Sequence, residues 1–259
     1  MAHAFKATIV EVRAVAPDHV ELLLESPELS QAIPGQFCHV LTPGMLRRPI
    51  SFSRIDAQRH QVGLLFQVVG SGTAWLAQRA VGESLDVMGP LGRGYEPPVD
   101  GRPWLLVGGG VGIPPLFAAL ERWGAGRRQP IQVVLGARRG DYLIMQDDFR
   151  ALGVTPVLTT DDGSLGQRGT VIPAVIEWMV RQPESEVMAC GPTPMLAALA
   201  SAVPASAGPV QLALEQRMGC GVGACLACVV PAQPVGPEGP RYRRVCTEGP
   251  VFRREELVF

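Results

Sequence analysis

Four cysteines near the C-terminus constrain this chain more than anything else in it. Cys220, Cys225 and Cys228 form a C-x4-C-x2-C run inside Met218–Cys228, and Cys246 follows beyond a Pro/Gly-rich stretch. Three thiolates from one loop and a fourth from further along is the spacing that holds a plant-type [2Fe–2S] centre. A loop wound round such a group needs little side-chain bulk and backbone free to take positive φ. Gly219, Gly221, Gly223 and Ala224 keep bulk low, the glycines allow positive φ, and bare amides there can point at sulfur. The rival is four-thiolate zinc, which usually arrives as two short knuckles set far apart. Here three ligands share one loop. That favours iron–sulfur over zinc or structural thiols, and with it the movement of single electrons.

The rest of the composition narrows the setting. A chain of 259 residues suits about two domains at roughly 100–200 residues each. Hydrophobic content of 47% with 18% charged residues describes a globular chain with ample core. A formal net charge of -1 and the lack of a basic run argue against nucleic-acid binding. The longest apolar stretch, Trp104–Leu120, is interrupted by four glycines and two prolines and is too short for a membrane span. Met1–Val20 has no apolar core of a signal peptide, so no secretion signal is expected. Six cysteines, four of them grouped as ligands, fit a reducing cytoplasm better than a disulfide scaffold. The other two, Cys38 and Cys190, read most simply as small buried residues.

Short runs rich in Val, Leu, Ile and Phe open the chain: 7–12, 20–24, 37–41 and 62–69, separated by turns such as Pro17-Asp18 and Pro34-Gly35. This spacing predicts a small antiparallel barrel, interrupted by a brief helix over 74–80. A Gly/Pro-rich stretch, 94–101, reads as a hinge. Beyond it, apolar runs at 104–107, 131–135, 154–158 and 186–189 alternate with helical periodicity, clearest over 171–180. Such alternation predicts a parallel sheet covered by helices on both faces. A second break at 202–209 leaves some fifty residues, too few for a large core and a size that often needs a metal. The stretch 231–240 reads as a surface loop. The fold class is therefore multidomain: a β-barrel over 1–98, an α/β nucleotide-binding domain over 99–208, and a small cluster domain over 209–259.

Leu105–Pro115 is a strand running into a glycine turn and a helix. Glycines there let backbone approach a pyrophosphate, while the helix N-terminus offers free N–H groups and a positive dipole end. The run is not G-x-G-x-x-G, and a ligand-free βα turn remains an alternative. The second strand ends in Gly136-Ala137-Arg138-Arg139 with Asp141 following, which leaves NAD against NADP open. Arg48 and Ser51, three residues apart on an extended segment, suit a phosphate and a flavin edge. Gly72-Thr73 suits a second phosphate oxygen, or simply a helix cap.

Taken in order, Arg48-Pro49-Ile50-Ser51, Gly72-Thr73, the glycine turn, Ala189–Leu196 and the cysteine loop closing on Val245–Phe252 resemble one family. It is the electron-transfer subunit of class 1B dihydroorotate dehydrogenase, within the ferredoxin reductase superfamily. The resemblance spans essentially the whole chain and is most specific in Glu215–Cys228 and Val245–Phe252.

What the resemblance implies is definite. The barrel binds FAD on Arg48, Pro49, Ile50 and Ser51, on Leu65, Phe66 and Gln67, and on Gly72 and Thr73. The superfamily's aromatic two residues after the arginine is Ile50 here, so the flavin ring needs another stacking partner. The α/β domain binds NAD, as substrate, on Gly108, Gly109, Gly110, Gly112 and Pro114 and on Cys190, Gly191 and Pro192. The cluster is held by Cys220, Cys225, Cys228 and Cys246. No catalytic side chain is implied, although Cys190 reads equally as a thiol beside the nicotinamide or as a buried residue. Thr160–Ser164 resembles a loop over the cofactor, or an ordinary Asp-Gly turn. The implied activity passes electrons from the FMN of a separate dihydroorotate-oxidising subunit through [2Fe–2S] and FAD to NAD+, in pyrimidine biosynthesis. The implied assembly is cytoplasmic, with two such chains and two catalytic chains. Two other readings share these motifs: a free-standing NAD(P)H-dependent reductase for a ferredoxin, oxygenase or sulfur acceptor, and a redox-sensing module without turnover.

Overall fold

A computed structural model describes residues 3–44, 46–234 and 239–259. Six strands close on themselves as an antiparallel barrel: β1 (Ala4–Ala16), β2 (His19–Glu25), β3 (Phe37–Val40), β4 (Arg48–Asp56), β5 (Gln61–Gln67) and β6 (Ser84–Leu91), in the order β1-β2-β5-β4-β3-β6. Closure leaves no unpaired sheet edge. Alternation drives it: Ile9, Leu22, Leu24, Cys38, Val40, Ile50, Phe52, Leu64, Leu85 and Val87 fill the interior. Each such aliphatic or aromatic side chain contributes about 1.5–3 kcal/mol on burial. The strand β6 escapes sequence reading because Gly89-Pro90 looks like a turn. Helix α1 (Ser71–Ala77) begins one turn earlier than the predicted 74–80, because Thr73 Oγ1 accepts the N–H groups of Val69 and Gly70 at 2.9 and 3.2 Å.

The second unit is a seven-stranded sheet in the order β10-β9-β8-β7-β11-β12-β15. Its strands are β7 (Trp104–Gly109), β8 (Ile131–Ala137), β9 (Val157–Thr160), β10 (Gln167–Arg168), β11 (Glu186–Cys190), β12 (Val210–Ala213) and β15 (Val251–Arg253). All pairs are parallel except β12 with β15. Every residue of β7 is buried, as a central parallel strand requires. Helices α2 (Ile113–Trp123) and α3 (Gln146–Ala151) cover one face, and α4 (Ile172–Arg181) and α5 (Thr193–Ala202) the other. The predicted strand at 154–158 starts instead at Val157, after Pro156, which has no N–H to donate to a ladder.

Two expectations change. The 94–101 segment is no free hinge. Tyr95 is buried with its hydroxyl on the Ala189 carbonyl at 3.0 Å, and the N–H groups of Glu96 and Val99 reach Gln211 and Glu186 at 2.8 and 2.7 Å. Nor does the C-terminal stretch form a separate body. It lends β12 and β15 to the sheet, and Cys228, Val230, Val245, Cys246 and Phe252 share one core with Leu105, Val187 and the barrel's Phe37 and Leu91. Within it, β13 (Val229–Pro231) pairs with β14 (Tyr242–Arg244), so the predicted 231–240 loop begins on a strand; residues 235–238 lie outside the described residues. Among the described residues no helix is long and apolar enough to cross a membrane.

Candidate cofactor cleft and cluster loop

A cleft of 910 Å³ opens where the barrel meets the carboxyl ends of β7, β11 and β12. Ligands of open α/β sheets bind at that end. Arg48, Pro49, Ile50, Ser51, Leu65, Phe66, Gln67 and Thr73 border it from the barrel, and Gly112, Cys190, Gly191 and Pro192 from the sheet. The side chains of Ile50 and Phe66 nevertheless belong to the barrel core, so their contribution to the wall is largely backbone. A smaller hollow of 550 Å³ around Trp123 and Arg127 lies at the amino ends of the strands, away from these residues.

The neighbouring arginines divide their duties. Arg47 is a strut, bonded to the Asp86 carboxylate at 2.6 Å. Arg48 has no carboxylate partner among the described residues; one nitrogen donates to the Leu46 carbonyl at 2.7 Å. Gly72 lies under the guanidinium, where a Cβ would come within 2.6 Å of Nε and 2.9 Å of Thr42 Oγ1. Thr42 Oγ1 is itself buried without a hydrogen-bond partner among the described residues. A free guanidinium, an orphaned hydroxyl and a glycine that keeps the space open fit a phosphate-bearing group such as FAD. The sequence reading selects Arg48, and the structure supplies the reason Arg47 is excluded; no sequence signal points to Thr42.

Of the glycine-turn residues predicted for NAD, Gly112 borders the cleft, flanked by Val111 and Pro115, while Gly108, Gly109, Gly110 and Pro114 are not in its lining. Gly108 and Gly109 are packing glycines: a Cβ would meet Ile113 at 2.9 Å and Met195 Sδ at 2.7 Å. Gly110 takes φ +54 with open space around it, and Gly112 lies against the Cys190 carbonyl, where a Cβ would sit 2.4 Å from oxygen. The helix N-terminus offers fewer donors than expected. Pro114 and Pro115 fall in the first turn of α2 and carry no N–H, so the turn itself must supply amides. The Thr160–Ser164 loop is an Asp-Gly turn braced from within, with the Ser164 N–H and hydroxyl both on Asp162 at 3.0 and 2.6 Å. Arg139 is tied to Asp141 by two bonds of 3.1 and 2.8 Å, while Arg138 is exposed. Burial, with Glu215 adding, pushes the Cys190 thiol up to about 12, so it stays protonated at neutral pH.

The four cysteines fall into an outer and an inner pair. Cys220 and Cys225 lie toward the surface. The Cys225 and Ala224 N–H groups point at Cys220 Sγ at 3.4 and 3.3 Å, and the Cys220 N–H at Cys225 Sγ at 3.4 Å. Such donors, that of Val222 foremost, draw the Cys220 thiol down to about 6. Cys228 and Cys246 are buried, with the Cys246 N–H on Cys228 Sγ at 3.4 Å, and burial pushes Cys246 up to about 11. Gly221 and Gly223 take φ +71 and +81 as anticipated; Leu226, at φ +58, does so without being glycine. Two thiol pairs with amides aimed at sulfur suit a two-metal cluster better than a single ion.

The cleft wall and the inner cysteines share one core. Phe37 and Met218 line the cleft and share a core with Cys228 and Cys246. Glu215, Gln216 and Arg217 complete that wall. Behind the loop lies His39, fully buried, its ring pushed down to about 4 by burial and by Arg47, and therefore neutral.

Comparison with known proteins agrees with this geometry. Residues 215–258 match the iron-sulfur cluster binding domain of dihydroorotate dehydrogenase B, and residues 106–201 the oxidoreductase NAD-binding domain. The chain is 43% identical over 265 residues to the dihydroorotate dehydrogenase B (NAD(+)) electron transfer subunit of Geobacillus kaustophilus, covering 98% of each. It is 35% identical over 264 residues to the subunit of the same name from Desulforamulus reducens, covering 100% of both. A solved structure of an NADH-dependent reduced ferredoxin-NADP oxidoreductase, described for flavin-based electron bifurcation, superposes with a TM-score of 0.81 at 32% identity. It covers 97% of this chain and 89% of that one. With the barrel, the sheet and the cysteine loop in this arrangement, the chain belongs to the family of dihydroorotate dehydrogenase B (NAD+) electron-transfer subunits.

Proposed function

We propose that this chain carries electrons from the FMN of a separate dihydroorotate-oxidising subunit to NAD+, a step of pyrimidine biosynthesis. The observation that carries this reading is the shared wall of a large cleft and a four-thiol loop: Phe37 and Met218 line the cleft and belong to the same buried core as Cys228 and Cys246. Bound there, the cluster supplies one-electron exchange and FAD both one- and two-electron exchange, which joins a single-electron donor to a hydride acceptor.

The chain's own residues bind and position. Arg48, with Thr42 and Gly72 around it, holds a phosphate of FAD; Pro49, Ser51, Gln67 and Thr73 border the flavin. Gly112, Cys190, Gly191 and Pro192 border the nicotinamide, and the protonated Cys190 thiol acts there as packing surface. Cys220, Cys225, Cys228 and Cys246 would hold the cluster, the outer pair toward the surface and the inner pair toward the core. Val222 and Leu226 are exposed beside the outer pair, apolar side chains suited to a protein contact. The catalytic subunit docks at that side, in an assembly of two plus two. The units 1–98, 99–208 and 209–259 carry FAD, NAD and cluster respectively, with β12 and β15 shared. Six free thiols, four of them ligands, suit the reducing cytoplasm.

The test is co-expression with an FMN-binding dihydroorotate dehydrogenase chain. Dihydroorotate-dependent reduction of NAD+ should require both chains, and this chain alone should purify brown with about one flavin and about two irons. A colourless or zinc-bearing product would refute it. The ferredoxin-NADP oxidoreductase likeness supports a second reading, a reductase for ferredoxin. NADH-driven ferredoxin reduction without any catalytic chain would favour that instead.

A further inference from the structure

His39 is fully buried and takes no part in the cleft just described. On β3, Cys38 and Val40 point into the barrel core, while Phe37 joins the core that holds Cys228 and Cys246. Strand alternation therefore puts His39 on the outward face with Phe37, and the two rings lie 5.7 Å apart. The cluster loop presses on that face. A Cβ at Gly221 would lie 2.6 Å from Cε1, 2.8 Å from Nδ1 and 3.0 Å from Nε2 of the imidazole. Those three atoms are the ring's polar edge, so it is the polar edge that is aimed at the turn between Cys220 and Cys225.

Neither ring nitrogen has a hydrogen-bond partner among the described residues, and His39 is the one side chain there that leaves two polar atoms orphaned. Buried polar groups are paired in the great majority of cases, so a partner belongs at this edge. A neutral imidazole carries one N–H to donate. The loop's amides at Cys220, Ala224 and Cys225 already point at sulfur, which marks sulfur as the acceptor that this enclosure is built to satisfy.

We propose that His39 donates its imidazole N–H to a sulfur of the cluster held by this loop, and so sets the cluster's reduction potential from the barrel. The inference rests on the iron–sulfur reading above. His39 is a positioning and tuning residue, because reduction adds negative charge to the sulfurs and a donor aimed at them favours the reduced form. The ladder gives this a second consequence. His39 stands opposite Pro49, next to Arg48, so one strand pair positions both the imidazole and the flavin-binding arginine.

The experiment uses the full chain with its cluster, isotopically labelled with ¹⁵N-histidine and reduced anaerobically. The chain has four histidines. His19 is bonded to the Pro17 carbonyl beside Tyr142, His3 lies beside Phe5, and His60 sits in the turn between β4 and β5. Pulsed electron paramagnetic resonance should detect a histidine ¹⁵N coupled to the reduced cluster. His39→Leu should remove that coupling and shift the reduction equilibrium about tenfold toward the oxidised form, about 59 mV lower for one electron. His39→Gln, which keeps an N–H, should restore most of the potential. No histidine coupling in the wild-type cluster overturns the proposal, and so does a His39→Leu protein that titrates at the wild-type potential. If His39→Leu fails to fold, the wild-type coupling decides. A wild-type chain without any cluster would instead remove the function proposed above.

Discussion

The two glycine-rich turns of this protein use the same residue for opposite ends. In Gly108–Gly112 three of the four glycines are packing devices: side chains at Gly108, Gly109 and Gly112 would run into Ile113, Met195 and the Cys190 backbone, and only Gly110 is needed for its φ of +54. That turn is fixed by the protein around it, whether or not a ligand is present. In Gly219–Gly223 the demand is first conformational, with φ +71 at Gly221 and +81 at Gly223, although a Cβ at Gly221 would also meet His39, and half of the thiols these glycines surround face outward. At Gly219 a Cβ would press on one atom closely, Cys225 Sγ at 3.1 Å, which is itself a thiol of the loop. The first turn is organised by its neighbours and the second by what its thiols hold.

The largest effect expected of a single substitution is at the cluster. Cys225→Ser should abolish electron exchange with the FMN subunit, a loss of about 100-fold or more, while NADH-driven dye reduction by the flavin stays within about twofold. Parallel loss of both, in a folded protein, would erase the distinction between the two turns. Next is Gly112→Ala, which sets a methyl group against backbone that has nowhere to retreat. We expect a loss of about 3 kcal/mol in denaturant unfolding. Its counterpart Gly219→Ala should change apoprotein stability by less than about 0.5 kcal/mol yet lower iron content. Arg48→Ala should weaken FAD binding by roughly 10–100-fold in calorimetry of the deflavinated protein, since it removes a charged donor from a phosphate site. The smallest effect concerns Cys190. With its pKa raised to about 12, the thiolate fraction at pH 8 is on the order of 10⁻⁴ and rises only as pH approaches 12. Iodoacetamide at pH 8 should leave the Cys190 peptide unmodified by mass spectrometry; rapid labelling would reveal an activated thiol.

Much of this architecture is legible residue by residue, for local reasons. The cysteine spacing, the strand-turn-helix at Leu105–Pro115 and the short apolar runs that become β2 and β5 are each complete in a dozen residues or fewer. What escaped reading was built from distant parts. The strand β6 carries Gly89-Pro90 and becomes a strand only by pairing with β1 and β3. The strands β12 and β15 are three or four residues long and gain their place from a sheet assembled elsewhere in the chain. The interface between barrel and sheet, where Arg54 bonds Asp148 and lies 4.7 Å over the Phe117 ring, leaves no trace in either segment alone.

Local chemistry, then, specifies the thiols, the glycines that let backbone turn around them, and the presence of a barrel beside a parallel sheet. Three-dimensional packing settles the rest: that Arg47 is consumed by Asp86 while Arg48 stays free, that the cysteines divide into inner and outer pairs, that Phe37 and Met218 join the core of the inner pair, and that His39 stands against the cluster loop. The reason is physical. Spacing along a chain encodes what a segment of a few residues can bind, whereas burial and the choice of partner depend on which remote surfaces close over it.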